Sequence, residues 1–533
     1  MRKKLAMKIC AIAMTAAMVG TMAGCGNGDS NASGNAGDGS TAESPAESQG
    51  GADESSEESP AEGGDAEGEA GGEAGGEEAA GGETYDFGGA VVRVNGGPWG
   101  SLNPENEATD PEYELKMDRA HQVEQKYNIK FEYVKLEGDD GYNTQEMILN
   151  SFTSGEAFAD IMAVGDNIIL GLKDYMADIT DTVDQLEIGN IYIEPGRWNG
   201  HVYGWTFDNM GSVYVMAYSR DYLNSIGMDV TPTQKFLAGE WSYDECKAYL
   251  TELKAKLPEG TYPMGVHTNH WASMAPAANG AVSVDSNGGI HLTDDNYIES
   301  LEFYRELIDL GLAAPITEVT IDEESGGISS TQLYGNGDMC GHTEAKSFVI
   351  TMVEAWQMEG LLDGIGEWGI VPWPWGSAVT CEGDYTTLSD NYYVAQSIWT
   401  DMAVAKQEYR SAGAKEIPDI VLHMIARDYM DLDNPNGAAV RHAAWEAEKA
   451  GQTYENLGYT PGTMGAFSTK EDAALYDWLH TRVVVDWGHC MDENALVRVN
   501  RNAAYVIAAG RDARSSGESF KNEGDQNLAD LIK

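Results

Sequence analysis

The sequence predicts an α/β protein whose folded part is built on mainly parallel sheets, and three observations carry this prediction. Runs typical of strands alternate with runs typical of helices, which is the pattern of βαβ units. The alternation begins at Tyr85 and continues nearly to the end of the 533-residue chain. A folded part of about 450 residues is too large for a single hydrophobic core, so it should divide into two or more domains or lobes.

The first 24 residues have the form of a lipoprotein signal peptide. A basic start is followed by an apolar run over residues 9–22, which is too short for a stable transmembrane helix. The run ends in Met22-Ala23-Gly24-Cys25, which resembles a lipobox, although Met22 stands where leucine is usual. The resemblance implies that Cys25 is diacylated and becomes the new N-terminus. An ordinary signal peptide cut nearby is the alternative.

Residues 25–84 are predicted to be a disordered linker. Between Gly26 and Thr84 the chain has sixteen acidic residues, no Lys or Arg and no aromatic residue. Such a segment buries too little apolar surface to offset the entropy of ordering it. As a flexible coil it would span on the order of 45 Å. Together with Cys25 it predicts a domain tethered to the extracellular face of the membrane.

The charge of the folded part disfavours some partners. Beyond Thr84 there are 71 acidic residues and 29 Lys and Arg, a net charge of about −42. A field of this sign disfavours nucleic acid and anionic lipid headgroups, and it makes an anionic ligand a less favoured choice.

Cysteine usage gives no sign of a metal or redox site. Cys10 is lost with the signal peptide and Cys25 takes the lipid, while no C-x-x-C pair occurs. The remaining cysteines are expected to be buried free thiols, with one or two disulfides as the alternative. They are Cys246, Cys340, Cys381 and Cys490.

The first predicted strand and helix lie between residues 90 and 127. Residues 90–94 are mostly valine and are followed at once by the turn sequence Asn95-Gly96-Gly97-Pro98. The helix after them has one apolar face, because apolar residues recur at spacings of three and four. These residues are Tyr113, Met117, Ala120, Val123 and Tyr127.

Two further strands flank a second helix. Residues 129–134 alternate between apolar and polar side chains, which predicts a strand with one buried face. The helix carries Met147, Ile148 and Phe152 and leads into an apolar strand over residues 159–164.

The pattern breaks near residues 203–212 and resumes with a strand over residues 213–218. Ser242-Tyr243-Asp244-Glu245 is a capping box, in which the serine and glutamate side chains each accept a free backbone N–H at the helix start. Later elements are a helix over about 295–310 that stops at Gly311, a strand over 368–371, and helices over 417–430 and 471–485.

Five short segments, taken in order, resemble those of the extracellular solute-binding proteins of sugar-importing ABC transporters, the group that includes maltose-binding protein. The likeness covers essentially all of residues 85–533. The segments are Ser154-Gly155-Glu156 with Ala159-Asp160-Ile161, Tyr203-Gly204 with Tyr218-Ser219-Arg220-Asp221, Trp241-Ser242-Tyr243-Asp244-Glu245, Gly335-Asn336-Gly337-Asp338-Met339 and Gly369-Ile370-Val371-Pro372.

The resemblance implies a two-lobed periplasmic-binding-protein-like fold of type II, with a ligand cleft between lobes that close by a hinge. It places lobe 1 at about 85–205 and 376–434 and lobe 2 at about 213–370 and 435–533. The chain would cross between the lobes near 205–212 and 371–376. The resemblance also implies a carbohydrate ligand and an ABC permease as partner. We expect a monomer with no cofactor and name no metal ligands, and the sequence leaves open whether a metal ion is bound.

Neutral sugars bind to flat aromatic rings and to paired carboxylate or amide groups, so such residues in loops after strands are the predicted ligand contacts. The predicted contacts are Trp99, Asp166, Asn167, Asp208, Asn209, Trp271, Glu344, Trp373, Asn391 and Tyr392. Structural alternatives are loop packing for Trp99, a helix cap for Asp166 and hinge packing for Trp373. His267 and His270 are expected to be structural.

The sequence gives no support for an enzyme. There is no P-loop, no H-E-x-x-H pair and no G-x-S-x-G elbow. Residues 431–437 depart from a calcium loop at its fifth and sixth positions, and a turn that caps a helix is the better interpretation. The alternatives left open are a binding protein for a peptide or polyol, a sensor that presents its ligand to a membrane receptor, and an extracellular carbohydrate-active enzyme.

Overall fold

Two β-sheets, each with its own helices, organise the protein in a computed structural model of the chain. The structure describes residues 85–95, 111–134, 145–164, 171–207, 213–266, 268–314, 319–321, 328–330, 348–353, 367–396, 400–452, 467, 469–488 and 497–532. The predicted linker and signal peptide lie outside the described residues.

Strands and helices alternate along most of the chain, as the sequence predicts. The strands are β1 (Ala90–Asn95), β2 (Ile129–Tyr133), β3 (Ile161–Val164), β4 (Arg197–Trp198), β5 (His201–Val202), β6 (Gly204–Trp205), β7 (Val215–Ser219), β8 (Tyr262–Gly265), β9 (Val319–Ile321), β10 (Ile328–Ser330), β11 (Phe348–Val353), β12 (Trp368–Val371), β13 (Val394–Gln396), β14 (Thr400–Val404) and β15 (Val483–Val485). The α-helices are α1 (Tyr113–Tyr127), α2 (Gln145–Thr153), α3 (Asn190–Ile193), α4 (Arg220–Ser225), α5 (Pro232–Leu237), α6 (Tyr243–Lys254), α7 (Thr268–Ala278), α8 (Asp295–Asp309), α9 (Asp419–Asp433), α10 (Pro435–Lys449), α11 (Lys470–His480), α12 (Val499–Ala503) and α13 (Ala513–Ile532).

The first sheet has the strand order β2-β1-β3-β14-β6. β1 pairs in parallel with β2 and β3, while β14 runs antiparallel to both β3 and β6. Helix α9 packs against α1 and β14, and α10 packs against α3 and α9. This sheet and its helices form lobe 1.

The second sheet has the order β12-β7-β11-β8 and forms the centre of lobe 2. β7 is antiparallel to β11 and β12, and β8 is parallel to β11. Helices α7 and α8 pack together, and the C-terminal helices α12 and α13 contact them. The predicted α/β fold with two lobes is confirmed.

Local signals are reproduced closely at two helix ends. The Ser242–Glu245 capping box is formed, with the Glu245 carboxylate accepting the Ser242 backbone N–H at 2.9 Å. Helix α8 ends just before Gly311, whose φ of +67° favours glycine.

The chain passes from lobe 1 to lobe 2 between Trp205 and Val215, returns between Gln396 and Thr400, and passes again to lobe 2 between α10 and α11. The predicted second crossing at 371–376 is therefore wrong. Trp373 and Trp375 are buried in lobe 2, and the Trp373 indole N–H donates to the Tyr214 carbonyl at 2.7 Å.

Two segments lie in the other lobe from the one expected. β13, in the range predicted for lobe 1, pairs in parallel with β15 and contacts α7 of lobe 2. Helix α10, in the range predicted for lobe 2, is fixed to lobe 1 by Arg441, whose buried guanidinium donates to the Phe207 carbonyl and pairs with Asp431.

The last part of the predicted 471–485 helix is a strand. Helix α11 ends at His480, and the three valines of β15 follow. β-Branched side chains favour strands over helices because their χ1 rotamers are restricted in a helix.

Candidate functional site

The carboxyl ends of the lobe 1 strands meet at one edge of the first sheet. β1, β2 and β3 are parallel, and β6 has the same direction because it is antiparallel to β14, which is antiparallel to β3. β14 begins at this edge, where Thr400 pairs with Val164. In open α/β sheets, ligands bind beyond the carboxyl ends of strands.

The second sheet has a corresponding edge. β8 and β11 are parallel and end there, and the end of β12 lies beside the start of β7, where Val371 pairs with Met216. The chain leaves the lobe 1 edge after Trp205 and enters this edge at Val215. The pair of edges, joined directly by the chain, is the candidate binding site.

Six predicted contacts lie outside the described residues: Trp99, Asp166, Asn167, Asp208, Asn209 and Glu344. They stay predictions. All but Glu344 belong to segments that directly follow β1, β3 or β6 at the lobe 1 edge.

Trp271 is a core residue, so its predicted role as a ligand contact is not supported. It is fully buried, its indole N–H donates to the Ser300 carbonyl at 2.8 Å, and its ring stacks on Tyr304 at a centroid distance of 4.3 Å. The sequence predicts a loop before Trp271, whereas α7 begins at Thr268 and turns the indole towards α8.

Trp373 and Tyr392 are also buried in the core rather than open to a ligand. The Tyr392 hydroxyl donates to the Trp373 carbonyl at 2.9 Å, and burial raises the pKa of this phenol well above its ordinary value. Asn391 is half-buried before β13, where its amide donates to the Ala378 carbonyl and its oxygen accepts from Ser389. Asn391 therefore closes a turn at the amino end of β13, away from the edge.

Three aromatic residues that were not predicted as ligand contacts lie at the two edges, and one of them, His270, was expected to be structural. Phe207, half-buried, is the last described residue after β6, and Tyr214 directly precedes β7. The Tyr214 ring lies 5.1 Å from the imidazole of His270, which is half-buried in the first turn of α7. The feature of the sequence that could have identified them is their position along the chain. Each lies within two residues of an edge strand or in the first helical turn after one.

Asn95 shows how the lobe 1 edge is made rigid. It is the last residue of β1 and is fully buried, and its side-chain amide donates to the Val134 carbonyl just after β2. The amide joins the ends of two neighbouring strands and so fixes the position of both at the edge.

Other polar groups that the sequence singled out are structural. Asn434 caps α10 by accepting the Gly437 N–H at 2.8 Å, which confirms that residues 431–437 form a helix-capping turn. Cys246 is a buried free thiol, as expected, and burial raises its pKa; Cys381 is a free thiol that is half-buried. Cys340 and Cys490 lie outside the described residues.

Two kinds of feature are absent from the described residues. No group of three or more His, Cys, Asp or Glu among them could hold a metal ion. Within the same part of the chain, no helix has the length and hydropathy needed to cross a membrane.

The family described as bacterial extracellular solute-binding protein matches residues 109–337, a segment that includes parts of both lobes. The match likens somewhat less than half of the chain to these proteins. No curated protein matches its sequence. The segment includes β2 and β3 of lobe 1 and β7 and β8 of lobe 2, and so it includes strands at both edges of the candidate site.

Solved structures of low sequence identity share the fold. The sugar-binding protein MalE from Xanthomonas citri has a TM-score of 0.50 at 14% identity, over 83% of this chain and 98% of its own. The galacto-N-biose-/lacto-N-biose I-binding protein of an ABC transporter from Bifidobacterium longum has 0.50 at 15%, over 84% and 98%. A family 1 extracellular solute-binding protein from Bifidobacterium longum subsp. infantis has 0.52 at 11%, over 82% and 100%.

Proposed function

We propose that this protein is a solute-binding protein that captures a neutral oligosaccharide outside the cell and delivers it to an ABC importer without altering it. The observation that carries the proposal is the two-lobed fold of a binding-protein family, with the strand ends of both lobes joined directly by the chain. Such proteins close on a ligand that contacts both lobes, because those contacts favour the closed state.

The chemistry at the described edges suits a sugar. Phe207 and His270 are half-buried flat rings at the edges, of the kind that stacks on the C–H surface of a pyranose ring, and the buried Tyr214 lies behind His270. The net charge of about −42 on the folded part disfavours acidic sugars. Two of the structural neighbours, MalE and the lacto-N-biose I-binding protein, are described as sugar-binding.

Binding and product analysis on the same samples test this proposal. The whole chain, lipidated and in detergent micelles, is titrated calorimetrically with neutral mono- and oligosaccharides, and the sugar is then analysed for cleavage. Saturable binding of an intact oligosaccharide supports the proposal. Cleaved sugar contradicts it in favour of an enzyme, and a peptide or polyol that binds while all sugars fail contradicts the ligand class.

Replacing His270 by alanine is expected to weaken sugar binding about 10-fold, which corresponds to about 1.4 kcal/mol. The substitution removes a half-buried ring beside Tyr214 at the lobe 2 edge. The matched control is His442→Ala, since His442 is an exposed histidine on α10 of lobe 1. Calorimetric affinities that are equal for the two variants would remove His270 from the site.

We also propose that a lipid on Cys25 anchors the protein to the extracellular face of the membrane as a monomer. The Cys25→Ser variant is expected to move from the membrane fraction to the medium, because one thioether-linked diacylglycerol supplies two buried acyl chains. Detergent phase partitioning measures this shift, with Cys381→Ser as the control. A Cys25→Ser variant that stays in the membrane fraction would point to a different anchor.

A further inference from the structure

A two-residue hairpin in lobe 1 reaches across to lobe 2. β4 and β5 are joined by Asn199 and Gly200, whose φ angles of 49° and 79° both lie in the left-handed region. Asn-Gly suits such a turn, because these residues adopt positive φ at little cost. The base of the hairpin belongs to lobe 1, since Val202 is buried there and its carbonyl accepts the Ile179 N–H at 2.9 Å.

The tip of the hairpin makes two kinds of contact with lobe 2. The Asn199 N–H donates to the Ser286 carbonyl at 2.7 Å. Trp198 is only 2% exposed, and its ring lies 5.1 Å from Trp487 in an edge-to-face arrangement. Trp198 also covers Gly288, where an added Cβ would come within 3.4 Å of the indole. These contacts connect the lobes independently of the three passages of the chain.

The receiving surface consists of residues 283–291 and 486–488, called here the seat. Asp486 is fully buried and accepts the Ser283 backbone N–H at 2.9 Å and the Gly488 N–H at 2.9 Å. The backbone N–H of Trp487 donates to the Val284 carbonyl at 3.0 Å. The two segments of the seat are thus fixed to each other, and Trp487 is held facing the hairpin.

His291 fixes the part of the seat that carries Ser286. Asp285 Oδ1 accepts the Asn287 and Gly289 N–H groups, at 2.8 and 2.9 Å, and so shapes the loop between them. Asp285 Oδ2 lies 3.0 Å from His291 Nε2, while His291 Nδ1 lies 2.9 Å from Asp294 Oδ2. With a carboxylate at each ring nitrogen, the imidazole meets both oxygens as a donor only when it is protonated.

The titration of His291 follows from these neighbours. Burial opposes the charged ring, but the hydrogen bonds and charges of Asp285 and Asp294 outweigh it and raise the His291 pKa above its ordinary value. The cations that face this loop come from α13: Lys521 donates to the Ile290 carbonyl and Arg514 to the Thr293 carbonyl. Because the folded-state pKa of His291 is raised, the stability that its charged form contributes through Asp285 and Asp294 is complete below about pH 6.5. This stability is lost as the pH rises through the folded-state pKa.

We propose that the hairpin and the seat form a latch between the two lobes, which the charged form of His291 holds and which loosens as the pH rises above neutrality. The latch acts on the relative motion of the lobes, whatever solute they bind. Its behaviour is therefore independent of whether the ligand is a sugar.

Amide hydrogen exchange on the full chain, measured by mass spectrometry between pH 6 and pH 9, tests the latch without any ligand. After correction for intrinsic exchange, the protection of the hairpin peptide that contains Asn199 is expected to fall about 10-fold over this range. In the His291→Gln variant the protection should be low at every pH. The Asp294→Asn variant should keep the transition but move its midpoint to lower pH, since one stabilising carboxylate is gone.

His442→Gln is the matched control. His442 is an exposed histidine on α10 that lies near the carboxylates of Glu187 and Glu446, and it is remote in sequence from the seat. It should reproduce the wild-type exchange, and exchange in the β7 peptide should be the same in all variants if the lobes remain folded. Hairpin protection that does not vary with pH in the wild type would overturn the proposal. So would a His291→Gln hairpin that is as protected as the wild type at pH 6.

Discussion

Replacing Asp472 by alanine is expected to lower the free energy of unfolding of lobe 2 by about 3–5 kcal/mol. Asp472 is fully buried at the start of α11 and accepts two hydrogen bonds from Arg220 Nη2, at 2.6 and 2.8 Å. It also accepts from the Ile370 N–H at 3.2 Å and the Thr469 hydroxyl at 2.6 Å. The substitution leaves the mostly buried Arg220 charge without its counterion, and it releases α11 from β12.

Urea titration followed by tryptophan fluorescence measures this loss. With an m value of about 2 kcal/mol per molar urea, the midpoint should fall by about 2 M. The control is Asp184→Ala, which removes an exposed partner of Lys449 and should cost less than about 1 kcal/mol. A loss for Asp472→Ala as small as that of the control would show that the buried pair contributes little.

Acid is expected to destabilise the fold well before the carboxylates titrate, because two buried histidines are neutral in the folded state. Burial, with Arg410 nearby, lowers the pKa of His423 to about 3, and burial lowers that of His480 to about 4. The unfolded chain binds these protons near pH 6.5, so stability is lost as the pH falls below that value. At pH 4.5 each histidine should cost about 2.5 kcal/mol.

His423→Leu should remove one of these two contributions. Neither ring nitrogen of His423 has a hydrogen-bond partner in the described part of the chain, so an apolar side chain of similar size gives up no bond there. Thermal unfolding of the variant at pH 7 and pH 4.5 should show a smaller difference than the wild type. An unchanged difference would mean that His423 does not drive the acid effect.

The sequence predicts the elements of this fold best where the signals are local. The Ser242–Glu245 capping box and Gly311 act within four residues, and both mark helix ends in the structure. The Val483–Val485 strand was missed because its partner, β13, lies almost ninety residues earlier. A valine run beside an apolar helix pattern does not reveal such a distant partner.

The site was harder to predict because position along the chain does not tell which way a ring points. Trp271 follows a strand, as a ligand contact would, but α7 directs it towards Ser300 and Tyr304 of α8. Helix α7 contains Pro276, which argues against a helix when only local propensity is considered. The neighbours that bury Trp271 come from about thirty residues later, so no local pattern reports them.

The long-range contacts of lobe 2 bear on how the chain folds during its synthesis. Arg220 pairs with Asp472, 252 residues later, and β13 pairs with β15, almost ninety residues later. The N-terminal part of lobe 2 is therefore synthesised before the residues that complete it. Contacts of such long range form late, because the chain between them must first be synthesised and its loop closed. We therefore expect the N-terminal part of lobe 2 to reach its full stability only after Asp472 and β15 have been synthesised.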